Sequence, residues 1–384
     1  MILDDYRSPW LTEELDDLRD LSRTFLAKEA TPNQERWAEQ HSVDREFWNQ
    51  AGAAGLLGLS LPTEYGGGGG TFAHEAVLME EQAYAFDSAW NNAVHSVIVA
   101  HYLSVYGTDE QKQRWLPKVI SGESVLAIAM TEPSTGSDLQ AVRTRAVRDG
   151  DDYVINGSKT FISNATNCDL LVIVARTSDE PGAKGLSLIV AEVADLPGFE
   201  RGRVLKKMGL PGQDTRELSF VDMRVPVANL LGGVEGQGFV QLMQQLPQER
   251  LSIAVTAVAS AEAAVREAIA YAKSREAFGK DLLEFQNTRF VLAECVADTL
   301  AARTMLDHLI GLHVEGKLDA AGASLAKFWT TDIQNKVIDR CLQIFGGYGY
   351  MSEYPISRMY ADARVQKIYG GTNEIMKELI ARSL

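Results

Sequence analysis

The hydrophobic pattern changes period twice along the chain, and this constrains the fold more than any other feature. Between residues 124 and 231 lie short β-rich runs, SVLAIAM, DYVINGSKTFIS, DLLVIVART, GLSLIVAEV and RELSFVDMRVP, separated by Gly, Pro, Asn and Asp turns. That spacing predicts a small antiparallel barrel or sandwich. The flanks are helical. From residue 12 to about 122, LDDLRDLSRTFLAKEA repeats apolar positions at three- and four-residue spacing, with Thr12 placed to cap the first helix. Beyond Gly238 alanine and leucine are abundant, and AVTAVASAEAAVREAIAYAKSREAF is expected to run as one long helix. Helices, then strands, then helices predict a three-part α+β architecture. Its parts are an N-terminal helical domain at 1–123, a central β-domain at 124–231 and a C-terminal helical bundle at 232–384.

A chain of 384 residues is long enough for two or three packed layers, and 46% apolar with 23% charged residues is an ordinary globular composition. The net charge of −15 argues against nucleic acid or an anionic membrane as partner, because both need a basic surface. An anionic ligand could still bind through a local basic pocket or helix N-termini. Cys168, Cys295 and Cys341 are scattered and odd in number, which predicts a reducing compartment without disulfides. MILDDYRSPWLTEELDDL has neither a basic segment nor an apolar one, and no apolar run approaches the roughly 20 residues of a membrane span. A cytoplasmic protein without a targeting peptide is expected.

Several motif classes are disfavoured. Five glycines in TEYGGGGGTF have no Gly-Lys-Ser/Thr after them, so a flexible loop is expected rather than a phosphate loop. No GxGxxG follows a strand, which disfavours a Rossmann fold. His308 and His313 do not share a helical face, no HExxH occurs, and no metal is expected. There is no GxSxG elbow.

The C-terminal stretch QIFGGYGYMSEYPISRMYADARVQKIYGGTNEIMKELIARSL resembles the acyl-CoA dehydrogenase family, and the resemblance extends over all three parts of the chain. It implies FAD as cofactor, a C-terminal four-helix bundle, and α,β-desaturation of an acyl-CoA to the trans-2-enoyl-CoA. Electrons would pass to an electron-transfer flavoprotein. In most of the family the position of Gly370 is a glutamate, the catalytic base. The long-chain branch instead supplies its base from an earlier helix, in a segment like LPQERL, where this chain has Glu249. Glu249 would then remove the α-proton while the β-hydrogen leaves as hydride to flavin N5. The Gly370 N–H, with a ribityl hydroxyl of FAD, would hold the thioester carbonyl. Having no side chain, Gly370 is expected to leave space where relatives place a carboxylate. Pro247, inside the helical segment, is expected to kink it beside the site.

Other motifs follow the same resemblance. AMTEPSTGSDLQA implies that Met130 and Thr131 contact the flavin pyrimidine edge and that Ser137 lies near the pyrophosphate and the thioester; Thr135 departs from the smaller residue usual there. In SKTFISNA, Phe161 takes the aromatic position against the isoalloxazine and Ser163 the hydroxyl position facing N5. In SREAFGKDLLEFQ, Arg275 would reach the FAD pyrophosphate of a neighbouring subunit, with Phe278 and Gln286 beside it. Gln343, Gly347, Thr372 and Glu374 match positions at the adenosine half, while Arg250 and Gly371 join Ser137 on the substrate side. An FAD site completed across subunits implies an oligomer, expected as a homotetramer. The acyl pocket is expected between residues 86–102 and the helix from 246 onward. Two alternatives stay open: a branched-chain or terpenoid acyl-CoA as substrate, and a non-catalytic flavin-binding paralogue in a hetero-oligomer.

Overall fold

The structure is a computed structural model that describes residues 2–384. Among the described residues seven α-helices precede the sheet: α1 (Ile2–Asp5), α2 (Glu13–Phe25), α3 (Gln34–Gln40), α4 (Arg45–Ala53), α5 (Phe72–Tyr84), α6 (Ala100–Tyr106) and α7 (Asp109–Ile120). Thr12 caps α2 as its residue type suggests, its Oγ1 accepting the Leu15 N–H at 3.4 Å. Trp37, Phe47, Trp48 and Trp90 form an aromatic centre in this part, with edge-on contacts such as Phe47 to Trp90 at 5.1 Å. Helix α5 is buried along most of its length and links this cluster to the C-terminal helices.

The glycine run is not a loose loop. The Gly68, Gly69 and Gly70 N–H groups donate to the carbonyls of Gly58, Leu61 and Leu59 at 3.1, 2.8 and 2.9 Å. A Cβ on Gly67 or Gly68 would stand 2.4 or 2.5 Å from the Leu61 or Leu59 carbonyl oxygen. These two glycines are therefore required by close backbone approach.

Seven strands follow: β1 (Val125–Ala129), β2 (Arg145–Asp149), β3 (Asp152–Ser163), β4 (Cys168–Arg176), β5 (Leu186–Glu192), β6 (Phe199–Val204) and β7 (Thr215–Pro226). The order is β1-β4-β2-β3-β7-β6, with β5 beside β4. Most pairs are antiparallel as expected, but β1 runs parallel to β4, with Ile128 opposite Val172. The β2–β3 hairpin lies between those two strands in sequence and lets the chain return in the same direction.

The long helix α8 (Gly238–Ser274) starts earlier than the alanine-rich stretch and continues through Pro247. It stops before Arg275, short of the expected end. There β8 (Glu276–Ala277) and β9 (Lys280–Asp281) pair across Phe278 and Gly279, with φ of 53° and 78°. Positive φ at both central positions is what a tight hairpin turn demands. The chain closes with α9 (Gln286–Val314), α10 (Ala320–Ile344), α11 (Pro355–Ala363) and α12 (Asn373–Ala381), and α10 packs against α8, α9 and α12. Ala254, Ala261, Ala264 and Ala268 of α8 are buried in this bundle, where small side chains let helices approach. All three cysteines are free and buried. Among the described residues no helix is long and apolar enough to cross a membrane, and no group of His, Cys, Asp or Glu could hold a metal ion.

Candidate active site

One wall of the site is made where β1 ends against β3. Lys159 lies wholly inside the protein, and its Nζ donates to the Met130 and Val174 carbonyls and to Glu132 Oε1, at 3.0, 2.8 and 3.0 Å. Glu132 in turn accepts the Arg143 and Thr144 N–H groups, both at 2.8 Å. Burial pulls the ammonium pKa down to about 8, while Glu132 is held below its usual value, chiefly by Lys159 acting against its own burial. A buried pair with all three ammonium donors used and both carboxylate oxygens hydrogen-bonded is rigid. It locks the Met130–Thr131–Glu132 backbone in place. Thr135 earns its bulk here, its Oγ1 donating to the Ala141 carbonyl at 3.1 Å.

The β3–β7 ladder slips between Lys159 and Ile162, a β-bulge, and Phe161 within it takes φ of 61°. Such a bulge re-aims a side chain. Phe161 is turned out of the core and is 67% exposed, while its neighbour Ile162 is buried. Thr131, Phe161 and Ser163 thereby line one cavity of about 280 Å³.

The opposite wall is α8. Glu249, Ser252, Ile253 and Thr256 face the same cavity, as do Trp90, Val94 and Ile98 from the segment before α6, and Gly370 from the turn before α12. The pocket thus lies between the two segments expected from the sequence. Glu249 is buried, and the Tyr102 hydroxyl donates to its Oε1 at 2.6 Å. Burial pushes the Glu249 carboxyl up to about 7, against the opposing pull of the Tyr102 hydrogen bond and of Arg250. A carboxyl titrating near neutrality, facing a cleft, is suited to proton transfer.

Three family models match the chain: the acyl-CoA dehydrogenase N-terminal domain over residues 12–123, the middle domain over 127–223 and the C-terminal domain over 236–384. The chain belongs to the acyl-CoA dehydrogenase family. It is similar to the mitochondrial long-chain specific acyl-CoA dehydrogenase of Rattus norvegicus, at 46% identity over 97% of this chain and 87% of that protein. An acyl-CoA dehydrogenase from Geobacillus kaustophilus superposes with a TM-score of 0.96 at 45% identity, covering 98% of this chain and 99% of that one. A glutaryl-CoA dehydrogenase from Mycobacterium smegmatis in complex with FADH2 superposes with a TM-score of 0.90 at 27% identity, over 97% and 95% of the two chains.

In this acyl-CoA dehydrogenase six of the residues singled out by sequence meet in the one cavity: Met130, Thr131, Phe161, Ser163, Glu249 and Gly370. Arg275 and Gly347 line a second, separate cavity with Tyr348, whose ring lies 5.8 Å from the Arg275 guanidinium. Phe278 stands fully exposed at the tip of the β8–β9 hairpin, and Ser137, Gln286, Gln343 and Glu374 are exposed outside the first cavity. Thr372 caps α12, its Oγ1 accepting the Ile375 N–H at 3.4 Å. The Gly371 carbonyl accepts from Lys327 Nζ at 2.7 Å. Arg250 is buried beside the cavity, bonded to Ser324 Oγ at 3.4 Å, and its Nε has no partner among the described residues.

The space expected at Gly370 is not open. A Cβ there would stand 2.4 Å from Ile253 Cδ1, and the backbone has φ of 64°. Ile253 lies one helical turn beyond Glu249, on the same face of α8, so the helix that carries the carboxylate also fills the place left by Gly370. Sequence reasoning missed Ile253 in this role, and it missed Tyr102 and Lys159. Only Lys159 had a local signal, a lone lysine in an otherwise strand-like run two residues before Phe161.

Proposed function

We propose that this protein is an FAD-dependent acyl-CoA dehydrogenase that converts a medium- or long-chain acyl-CoA to the trans-2-enoyl-CoA, with Glu249 as the base. The observation that carries the reading is a buried carboxyl raised to about 7, facing Thr131, Phe161, Ser163 and the Gly370 backbone in one cavity. The residues suit a flavin. The Thr131 and Ser163 hydroxyls have no hydrogen-bond partner among the described residues, and Phe161 offers an exposed ring face beside them. Arg275 is exposed and lies over the Tyr348 ring, which leaves the polar edge of its planar fork for a pyrophosphate. FAD, when bound, supplies the hydride acceptor.

The chain's own groups do the rest. Glu249 takes the α-proton. The Gly370 N–H donates to the thioester carbonyl, where negative charge develops as that proton leaves. The buried walls of α8 and of the segment before α6 keep water from the acyl chain. Arg275, on an exposed hairpin away from the first cavity, serves the FAD of a neighbouring copy, and the working unit is a homotetramer. Electrons leave to an electron-transfer flavoprotein.

Purified protein should be yellow, with about one FAD per chain, and should turn over members of a straight and branched acyl-CoA panel with an artificial electron acceptor. A colourless protein that does not take up added FAD would sink the proposal.

A further inference from the structure

We propose that Tyr102 is a positioning residue for the base: its phenol holds one oxygen of Glu249 and leaves the other to receive the substrate proton. The inference rests on the reading of Glu249 given above. Tyr102 lies on α6, is fully buried, and bridges 147 residues of sequence to reach Glu249 Oε1 at 2.6 Å. Among the described residues nothing donates to Oε2, and Glu249 faces the cavity. A carboxylate without that clamp could rotate and present either oxygen, or neither, in line with a carbon-bound proton.

The clamp is itself held. One helical turn along α6, the Tyr106 hydroxyl donates to the Gln244 Oε1 at 2.9 Å and lies 3.2 Å from the Gln241 carbonyl, so two phenols of α6 fasten it to α8 on either side of Pro247. The Tyr102 and Tyr106 rings lie 6.2 Å apart and support one another. A phenylalanine would fill the same volume, so packing alone does not require the hydroxyl.

The hydrogen bond favours the ionised carboxylate and opposes the effect of burial. The other ionisable groups around Glu249 are few. Arg250 adds a weaker pull in the same direction as the Tyr102 hydrogen bond, with Lys327 of α10 behind Arg250, while Asp87 and Tyr369 line the cavity and Tyr106 lies beyond Tyr102. None of them donates a hydrogen bond to Glu249.

The test is Tyr102→Phe in the FAD-loaded enzyme, with flavin reduction followed anaerobically across pH using the best of a series from butyryl-CoA to palmitoyl-CoA. The rising limb of the pH profile should move up by about one to two pH units, the worth of a hydrogen bond to a charged group. The plateau rate should fall roughly tenfold through lost orientation, with FAD content and substrate affinity unchanged. An unmoved limb in folded, FAD-loaded variant overturns the proposal. If Tyr102→Phe does not fold, 3-fluorotyrosine incorporation strengthens the phenol donor at nearly the same size and should move the limb down; an unmoved limb there overturns it equally. Glu249→Gln separates the two readings. If it reduces flavin at the wild-type rate, the base assignment fails; if it is slow while the Tyr102→Phe limb stays put, only the positioning role fails.

Discussion

Burial of Glu249 should make the reaction switch on around neutrality. The carboxyl sits at about 7 because it is buried, where an exposed glutamate sits at 4.5. For a base with a pKa near 7, roughly a tenth is ionised at about pH 6 and roughly nine-tenths at about pH 8, so the rate rises about tenfold between them. For an ordinary carboxylate both fractions are close to one and the profile is flat. The assay is anaerobic flavin reduction at low substrate, which reports the free enzyme. CoA esters ionise too, so Glu249→Gln is the control. Its residual rate should be at least about 10²-fold lower and should lack the limb, with FAD content unchanged. A flat wild-type profile between those pH values, or the same limb in Glu249→Gln, would refute the assignment of the base.

Two further predictions concern Gly370 and Arg275. Glu249→Gln with Gly370→Glu should recover little activity, because the new side chain meets Ile253 at 2.4 Å on a backbone with φ of 64°. Adding Ile253→Ala should raise the recovered rate, and equal rates for the double and triple variants would show that Ile253 is not the obstacle. Arg275→Ala should weaken FAD retention by about tenfold or more, through loss of a charge-assisted phosphate contact, without altering the circular dichroism; undiminished retention on equilibrium dialysis would remove Arg275 from the cofactor site.

What the sequence discloses is what its motifs carry locally. Met130, Thr131, Phe161 and Ser163 belong to two short segments, and the structure brings both to one cavity with Glu249 and Gly370. Tyr102 was hidden because its partner is 147 residues away and a tyrosine in a helical run has no distinguishing pattern. The collision of Gly370 with Ile253 depends on how the final turn seats on α8, a matter of tertiary packing. The glycine run misled for the same reason: five glycines suggest freedom, yet two of them are there because the Leu59 and Leu61 backbone passes too close for a side chain. The end of α8 was placed too late because Arg275, Glu276 and Ala277 all tolerate a helix, and only the pairing of β8 with β9 pulls them out of it.

The course of α8 has a mechanical consequence. The same rod carries Glu249 in its first half and delivers the chain to Arg275 just past its end, about 39 Å farther along its axis. A rod held at the Arg275 end and tilted by about one degree sweeps Glu249 through roughly 0.7 Å, a displacement of the size that misaligns a proton transfer. Whatever seats the far hairpin therefore also sets the aim of the carboxylate, and substitutions at that distant contact should register as lost turnover before they register as lost stability.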